Sequence, residues 1–257
     1  MNVDLTSDEI SVFLLVLARV GGVIVSAPII GDRQIPRPIK VGLAVVLSMV
    51  LVQVPSIRAM GAPVAILPFT MSVIAQLLVG IAIGFVARTI FFAVQTAGGI
   101  VSLQIGLSIA AVLNPLTNEA DPILGQLYTI MVGMTFLALN GDAYLVASVA
   151  RSFDLAPLST SALSPNLMQS AAGDVLTVAE LGLQIAMPIA ATLFASDLLL
   201  GVVSRALPQL NVFVLSLPLN IILGLMAIIG SLAATVLFLG NQVSDMPSML
   251  LALVRHV

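Results

Sequence analysis

The stretch SRALPQLNVFVLSLPLNII, residues 204–222, decides how the chain is read. It opens on Arg205, gathers Pro208, Gln209 and Asn211 into one cluster, and then runs on to Asp245 with no charge between positions 206 and 244. Pro208 and Pro218 limit helix continuation, because proline lacks an N–H and its ring crowds the preceding turn. Gln209 and Asn211 can satisfy backbone groups freed at a bend. Arg205 can bind an acid or the terminal carbonyls of a helix on a neighbouring chain. A polar knot in so apolar a segment asks what surrounds it.

The composition narrows the answer. Hydrophobic residues make up 60% of the 257 and charged residues 8%, where a soluble domain carries about 25% charged residues. The chain therefore reads as an integral membrane protein, a subunit covered by a larger assembly, or both. Its net charge is −3 with no basic tract, which argues against a nucleic-acid partner. There is no cysteine, hence no disulfide or thiolate chemistry. Trp is absent and Tyr occurs twice, so the aromatic belt of a lipid-surrounded protein is thin. The start, MNVDLTSDEI, is acidic and lacks the basic region of a secretory signal, so residues 10–30 read as a retained helix.

The expected fold is all-α. Apolar segments fall at about 10–30, 39–54, 64–87, 89–113, 123–141, 181–203 and 212–239. A lipid-spanning helix takes ~20 apolar residues; some of these are short and the last is long, so the lengths fit helices packed on protein better than free spans. Small residues recur every fourth position: Ala18, Gly22 and Ser26; Gly80 and Gly84; Gly98, Ser102, Gly106 and Ala110. Such stripes let helix backbones approach closely, which marks Gly80, Gly84, Gly98 and Ser102 as packing positions. Arg33, Arg37 and Lys40 form the one basic cluster and place that loop in the cytoplasm. Asn114 before Pro115 should end a helix, and Ser164-Pro165 can open a short one within 151–173. No linker divides the chain, so 1–257 reads as a single membrane domain.

Catalytic groups are scarce. The one histidine, His256, stands next to the C-terminus, and neither a phosphate-binding nor a nucleophile-elbow motif is present. Asp142 in LNGDAY lacks the glycine two residues before the Gly-Asp pair that an intramembrane aspartyl protease would carry, and reads instead as the polar end of the fifth segment. No metal, cofactor or enzymatic activity is expected. Arg19, Glu180, Asp197 and Arg205 lie within apolar segments. Each would cost ~2.5–3.5 kcal/mol at a lipid-facing helix centre, so each should be paired on protein. Asp197 and Arg205, eight residues apart, are too distant to pair within one helix. A proton relay is one reading of these charges; structural pairing between helices or chains is the preferred one.

The segments 18–44 and 204–225 together resemble the FliR/SctT family, the export-gate proteins of bacterial flagella and of the related virulence secretion systems. The likeness rests on Arg19, Ala27-Pro28, Ile35-Pro36 and Lys40, and on Arg205, Pro208-Gln209, Asn211 and Phe213. QTAGGIVSLQIGLSIAAVLNP, 95–115, and NGDAYLVASVARSFDLAP, 140–157, are also similar, although the family often has His where this chain has Asp142. The likeness covers about 10–240, and its flagellar branch is favoured.

The resemblance implies an all-helical subunit with kinked helices. A FliP-like part, about 1–173, would be followed by a FliQ-like helical hairpin, about 174–257, with the cluster around Pro208 as its turn. It implies a ring with FliP and FliQ around a pore for unfolded flagellar proteins, with FlhB and FlhA nearby, in the inner membrane at the flagellar basal body. The family draws its energy from the proton gradient and a separate ATPase. It also makes residues 106–122 a pore plug shaped by Gly106, Asn114, Pro115 and Pro122; the residues alone read as an external loop. Arg19, Pro28, Pro36, Lys40, Asp197, Arg205, Pro208, Gln209, Asn211 and Phe213 become structural or inter-subunit positions. The competing expectation is a secondary transporter with broken helices around a small-solute site.

Overall fold

The computed structural model describes residues 7–32, 34–63, 65–107, 123–158, 166–207, 209 and 212–255. Among them there is no strand. Among the described residues eight helices follow one another: α1 Ser7–Ser26, α2 Arg37–Val52, the single turn α3 Pro55–Arg58, α4 Ile66–Ile105, α5 Ile123–Ala138, α6 Gly141–Leu155, α7 Asn166–Ala206 and α8 Val212–Arg255. The protein is an all-α membrane protein: α1, α4, α7 and α8 each contain a stretch long and apolar enough to cross a bilayer.

Local chemistry explains the helix ends. Asp8 and Glu9 in the first turn of α1 complement its dipole. Pro36 caps α2, with a proline in its first turn, where the absent N–H costs nothing. Asn140 takes the left-handed conformation, φ 54°, and separates α5 from α6. Gly106, φ 90°, stops α4, and its N–H reaches the Leu103 carbonyl at 3.1 Å; only glycine adopts this αL stop without strain.

Four expectations are revised. The segments 64–87 and 89–113 form one helix of 40 residues, because a lone charge at Arg88 does not end a helix when it finds a partner, here Asp32 at 3.0 Å. The helix opening at Asn166, just past Pro165, is not short but runs 41 residues, straight through Pro188. Pro218, read as limiting helix continuation, likewise lies inside α8. Asp142 sits in the first turn of α6 rather than at the end of α5.

The chain divides into two compact units, each assembled from separated segments. One comprises 1–89, 140–175 and 244–257; the other comprises 90–139 and 176–243. In the first, Leu15, Val16, Ile57, Ile83, Phe153 and Leu158 are fully buried, and Met246 and Leu250 from the end of α8 join that core. In the second, Val94, Ala97, Val101 and Ile105 of α4 form a stripe at helical spacing, with Tyr128 and Val132 of α5 and Ile189 and Leu193 of α7. Phe91 meets Phe136 edge to face at 5.8 Å, a favourable aromatic geometry.

Candidate functional site

The small-residue stripes of α1 and α4 lie against each other. A Cβ on Gly22 would stand 2.5 Å from the Leu77 carbonyl and 2.9 Å from the Ile81 amide; one on Gly80 would strike the Arg19 carbonyl, and one on Gly84 the Ser26 hydroxyl and the Val23 carbonyl. Backbone meets backbone over two turns, so no side chain there can yield. This is the close helix crossing that small residues at four-residue spacing permit.

That crossing seats Arg19, whose exposure is 0%. Its Nε donates to Gln76 Oε1 at 2.7 Å, Nη1 to Ser152 Oγ at 2.9 Å, and Nη2 to the Ala156 carbonyl at 2.6 Å. Nη2 also donates to Gln76 Oε1. The guanidinium lies 4.1 Å from the centroid of the Phe153 ring, an attractive stacking geometry for a cation. Among the described residues no carboxylate pairs with it. Its charge is instead spread over neutral acceptors, the ring, and the C-terminal end of α6, where the helix dipole is negative. Gln76 is fixed in turn, donating to the Pro157 and Leu158 carbonyls at 3.4 and 3.3 Å. One arginine thus ties α1, α4, α6 and the segment after α6 together. Nothing near position 19 points to Gln76 or Ser152; the one sequence signal is that Gln76 interrupts a long apolar run.

Lys40 closes the turn after α1. Its Nζ donates to the Gly31 and Asp32 carbonyls, each at 2.8 Å, satisfying acceptors left free where the helix has ended. Pro28 is buried in that turn and Pro36 is exposed at the start of α2. Arg33 lies outside the described residues. A cavity of about 510 Å³ opens among α1, α2 and α6, with Val20, Leu47 and Val146 in its wall and Asp142 beside them.

In the other unit, Gly98 lies against Gly125: a Cβ on Gly98 would stand 2.5 Å from the Gly125 Cα. Ser102, one turn on, is fully buried, and its hydroxyl has no partner among the described residues. Of the four residues assigned to the plug, Gly106 is described and ends α4; Asn114, Pro115 and Pro122 lie outside the described residues.

The helices α7 and α8 form a hairpin. Ser196 donates to Asn220 Oδ1 at 3.2 Å, and Asn220 Nδ2 donates to Asp197 Oδ1 at 2.9 Å. Contacts between 196–197 and 220 require the chain to reverse between Ala206, where α7 ends, and Val212, where α8 begins. Gln209 is an exposed turn residue; Pro208 and Asn211 lie outside the described residues, as does the side chain of Phe213. Arg205 is exposed at the end of α7. Asp197 and Arg205 are not brought together, as their spacing required. Glu180 accepts from Gln184 at 3.2 Å, an i,i+4 pair. Asn220, which orients Asp197, sits unremarked within the stretch that opened the reading.

The signature of the family described as "Bacterial export proteins, family 1" matches residues 10–246. The chain belongs to this family. Among its relatives is the flagellar biosynthetic protein FliR of Escherichia coli (strain K12), 33% identical over 211 residues, spanning 81% of this chain and 79% of that one. FliR of Bacillus subtilis (strain 168) is 32% identical over 222 residues, 83% of each chain. FliR of Caulobacter vibrioides is 32% identical over 234 residues, 88% of this chain and 90% of that one. The family match takes in all three tertiary features described above: the α1–α4 crossing, the Gly98–Gly125 contact and most of the α7–α8 hairpin.

Proposed function

We propose that this export-family chain is a structural and gating subunit of the flagellar protein export apparatus, and that it assembles with FliP and FliQ into the pore through which unfolded flagellar proteins leave the cytoplasm. One observation carries the reading: the chain aligns along most of its length with flagellar FliR proteins at up to 33% identity. The apolar, poorly covered α7–α8 hairpin supports it, since such a surface calls for protein or lipid against it. In this reading the chain sits in the bacterial inner membrane at the flagellar basal body, with FlhB and FlhA as further neighbours. Residues 1–173 act as the FliP-like part and 174–257 as the FliQ-like hairpin. Residues 106–122 form the plug, with Gly106 as the stop that releases the chain from α4. The chain is a conduit rather than a catalyst. The rival reading as a small-solute transporter is left without support, as these relatives are all flagellar biosynthetic proteins.

Co-expression with FliP and FliQ, followed by mild detergent extraction, tests the reading. One large particle containing all three chains is expected, together with loss of motility and of secreted flagellar protein when this chain is deleted. Deleting part of 110–120 should let small ions through the resting membrane. A solitary chain in micelles, with secretion intact in the deletion strain, would reject the reading.

A further inference from the structure

The cavity among α1, α2 and α6 is a slot with one closed end and one charged mouth. Its walls run from Leu43 to Leu51 on α2 and from Asp142 to Ala150 on α6, over a floor that reaches from Val20 to Ile30. The three segments share one direction of travel. Arg19 meets Ser152, which sets Val20 beside Ala150, and Lys40 meets the Gly31 and Asp32 carbonyls, which sets the start of α2 beside the turn after α1. Asp142 and Leu43 therefore lie at the turn end. Val20, Leu51 and Val149 are buried and close the far end, whereas Leu43 is half-buried and Asp142 exposed at the mouth.

The dimensions select the occupant. Eight residues of helix advance ~12 Å at ~1.5 Å each. A volume of about 510 Å³ over that length gives a cross-section of about 40 Å². A helix with its side chains, ~10–12 Å across, does not fit; an extended hydrocarbon chain does. Every lining residue except Asp142 is aliphatic. A polar metabolite would lose its hydrogen bonds to water there and gain none from the walls.

The mouth selects the other end of the occupant. Lys40 stands one turn before Leu43 on the same face of α2. Its ammonium is held by two carbonyls and keeps a third N–H. Arg37, one turn further out, is exposed. On the opposite wall Asp142 forms no ion pair among the described residues, while Asp32, the acid of the neighbouring turn, is taken by Arg88. Cations thus face one side of the opening and a carboxylate the other.

We propose that this slot holds one acyl chain of a glycerophospholipid whose headgroup carries a primary amine, with the phosphate against Lys40 and Arg37 and the ammonium against Asp142. The second acyl chain stays in the bilayer. A phosphoglycerol headgroup satisfies the cations but brings no charge for Asp142, and a choline headgroup has no N–H to donate to it. The site is built from one chain and is independent of the assembly proposed above.

The test exchanges the purified full chain, in mild detergent, against an equimolar mixture of phosphatidylethanolamine, phosphatidylglycerol and phosphatidylcholine with identical acyl chains. Native mass spectrometry counts the lipids retained. One firmly held lipid per chain is expected, with phosphatidylethanolamine favoured about three- to fivefold over each of the others, as suits an ion pair near the surface. Asp142→Asn should remove the preference and leave total retention little changed, since the tail still fits. Ala147→Phe fills the slot from an exposed wall position and should cut retention of all three lipids tenfold or more, at unchanged helix circular dichroism. No retained lipid, equal retention of the three headgroups, a preference that survives Asp142→Asn, or full retention by Ala147→Phe overturns the proposal. Should the Ala147→Phe chain fail to accumulate, the headgroup preference of Asp142→Asn decides alone, because that exposed substitution disturbs no core.

Discussion

Replacing Arg19 by methionine measures how the first unit is held. The side chain is fully buried and reaches Gln76, Ser152 and the Ala156 carbonyl. Methionine fills a similar length but leaves these three acceptor groups without their donor. An orphaned buried polar group costs ~1–3 kcal/mol, or about 6 kcal/mol for three at the middle of the range. The substitution also removes a guanidinium whose burial without a counter-ion costs ~3 kcal/mol. The net expectation is a loss of about 3 kcal/mol, which for a chain of this size lowers the unfolding temperature by roughly 6–12 °C.

The assay is thermal unfolding of the purified chain in mild detergent, followed by helix circular dichroism. The cycle is completed with Gln76→Leu and the double variant. Removing both partners of one contact costs less than the two single losses added, because neither is left facing a void; a coupling of ~1–2 kcal/mol is expected. Buried charged networks can also be replaced by apolar groups with no loss or even a gain, so the sign of the Arg19→Met effect is itself informative. An Arg19→Met chain that unfolds at or above the wild-type temperature, with strictly additive effects at Gln76, would refute the idea that this network clamps α1, α4 and α6 together.

Three further outcomes follow from the same geometry. Gly80→Ala drives a methyl into the Arg19 carbonyl and should destabilise by ~1–3 kcal/mol, whereas Gly133→Ala, with open space around it, should leave the unfolding temperature unchanged in the same assay. Lys40→Met removes a charged donor from two carbonyls; a cost of ~1.5–3 kcal/mol should appear as a lower unfolding temperature in the same assay. Gly106→Ala forces a Cβ into φ 90° and should cost ~1–2 kcal/mol, read as a lower unfolding temperature of the assembled particle.

What the sequence revealed and what it hid divide by range. The stripes at Gly22 and at Gly80 and Gly84 were visible because small residues at four-residue spacing are a local pattern, and the structure packs one on the other. The clamp was not visible, since Arg19 and Gln76 are 57 positions apart and a glutamine in an apolar run says only that it needs some partner. Helix ends were misjudged wherever one residue was taken as sufficient to stop a helix. Arg88 continues α4 because Asp32 meets it, and Pro218, read as limiting helix continuation, lies inside α8. Around the interval between Ala206 and Val212, where one helix ends and the next begins, proline, amides and arginine accumulate, so no single residue had to carry that reading.

The distribution of apolar surface bears most directly on assembly. The apolar stretch of α8 has the highest mean hydropathy among the candidate spans, 2.5, yet only 17% of it is buried within the chain; in α7 the share is 28%, whereas in α4 it is 56%. In a bilayer, burial on protein gives an apolar helix no hydrophobic drive, since lipid tails are as apolar as leucine, so the most apolar helices can leave their surface for lipid or a neighbouring chain to cover. α4 carries the internal core, and the hairpin holds its own alignment with the Ser196–Asn220–Asp197 relay while leaving most of its surface uncovered within the chain.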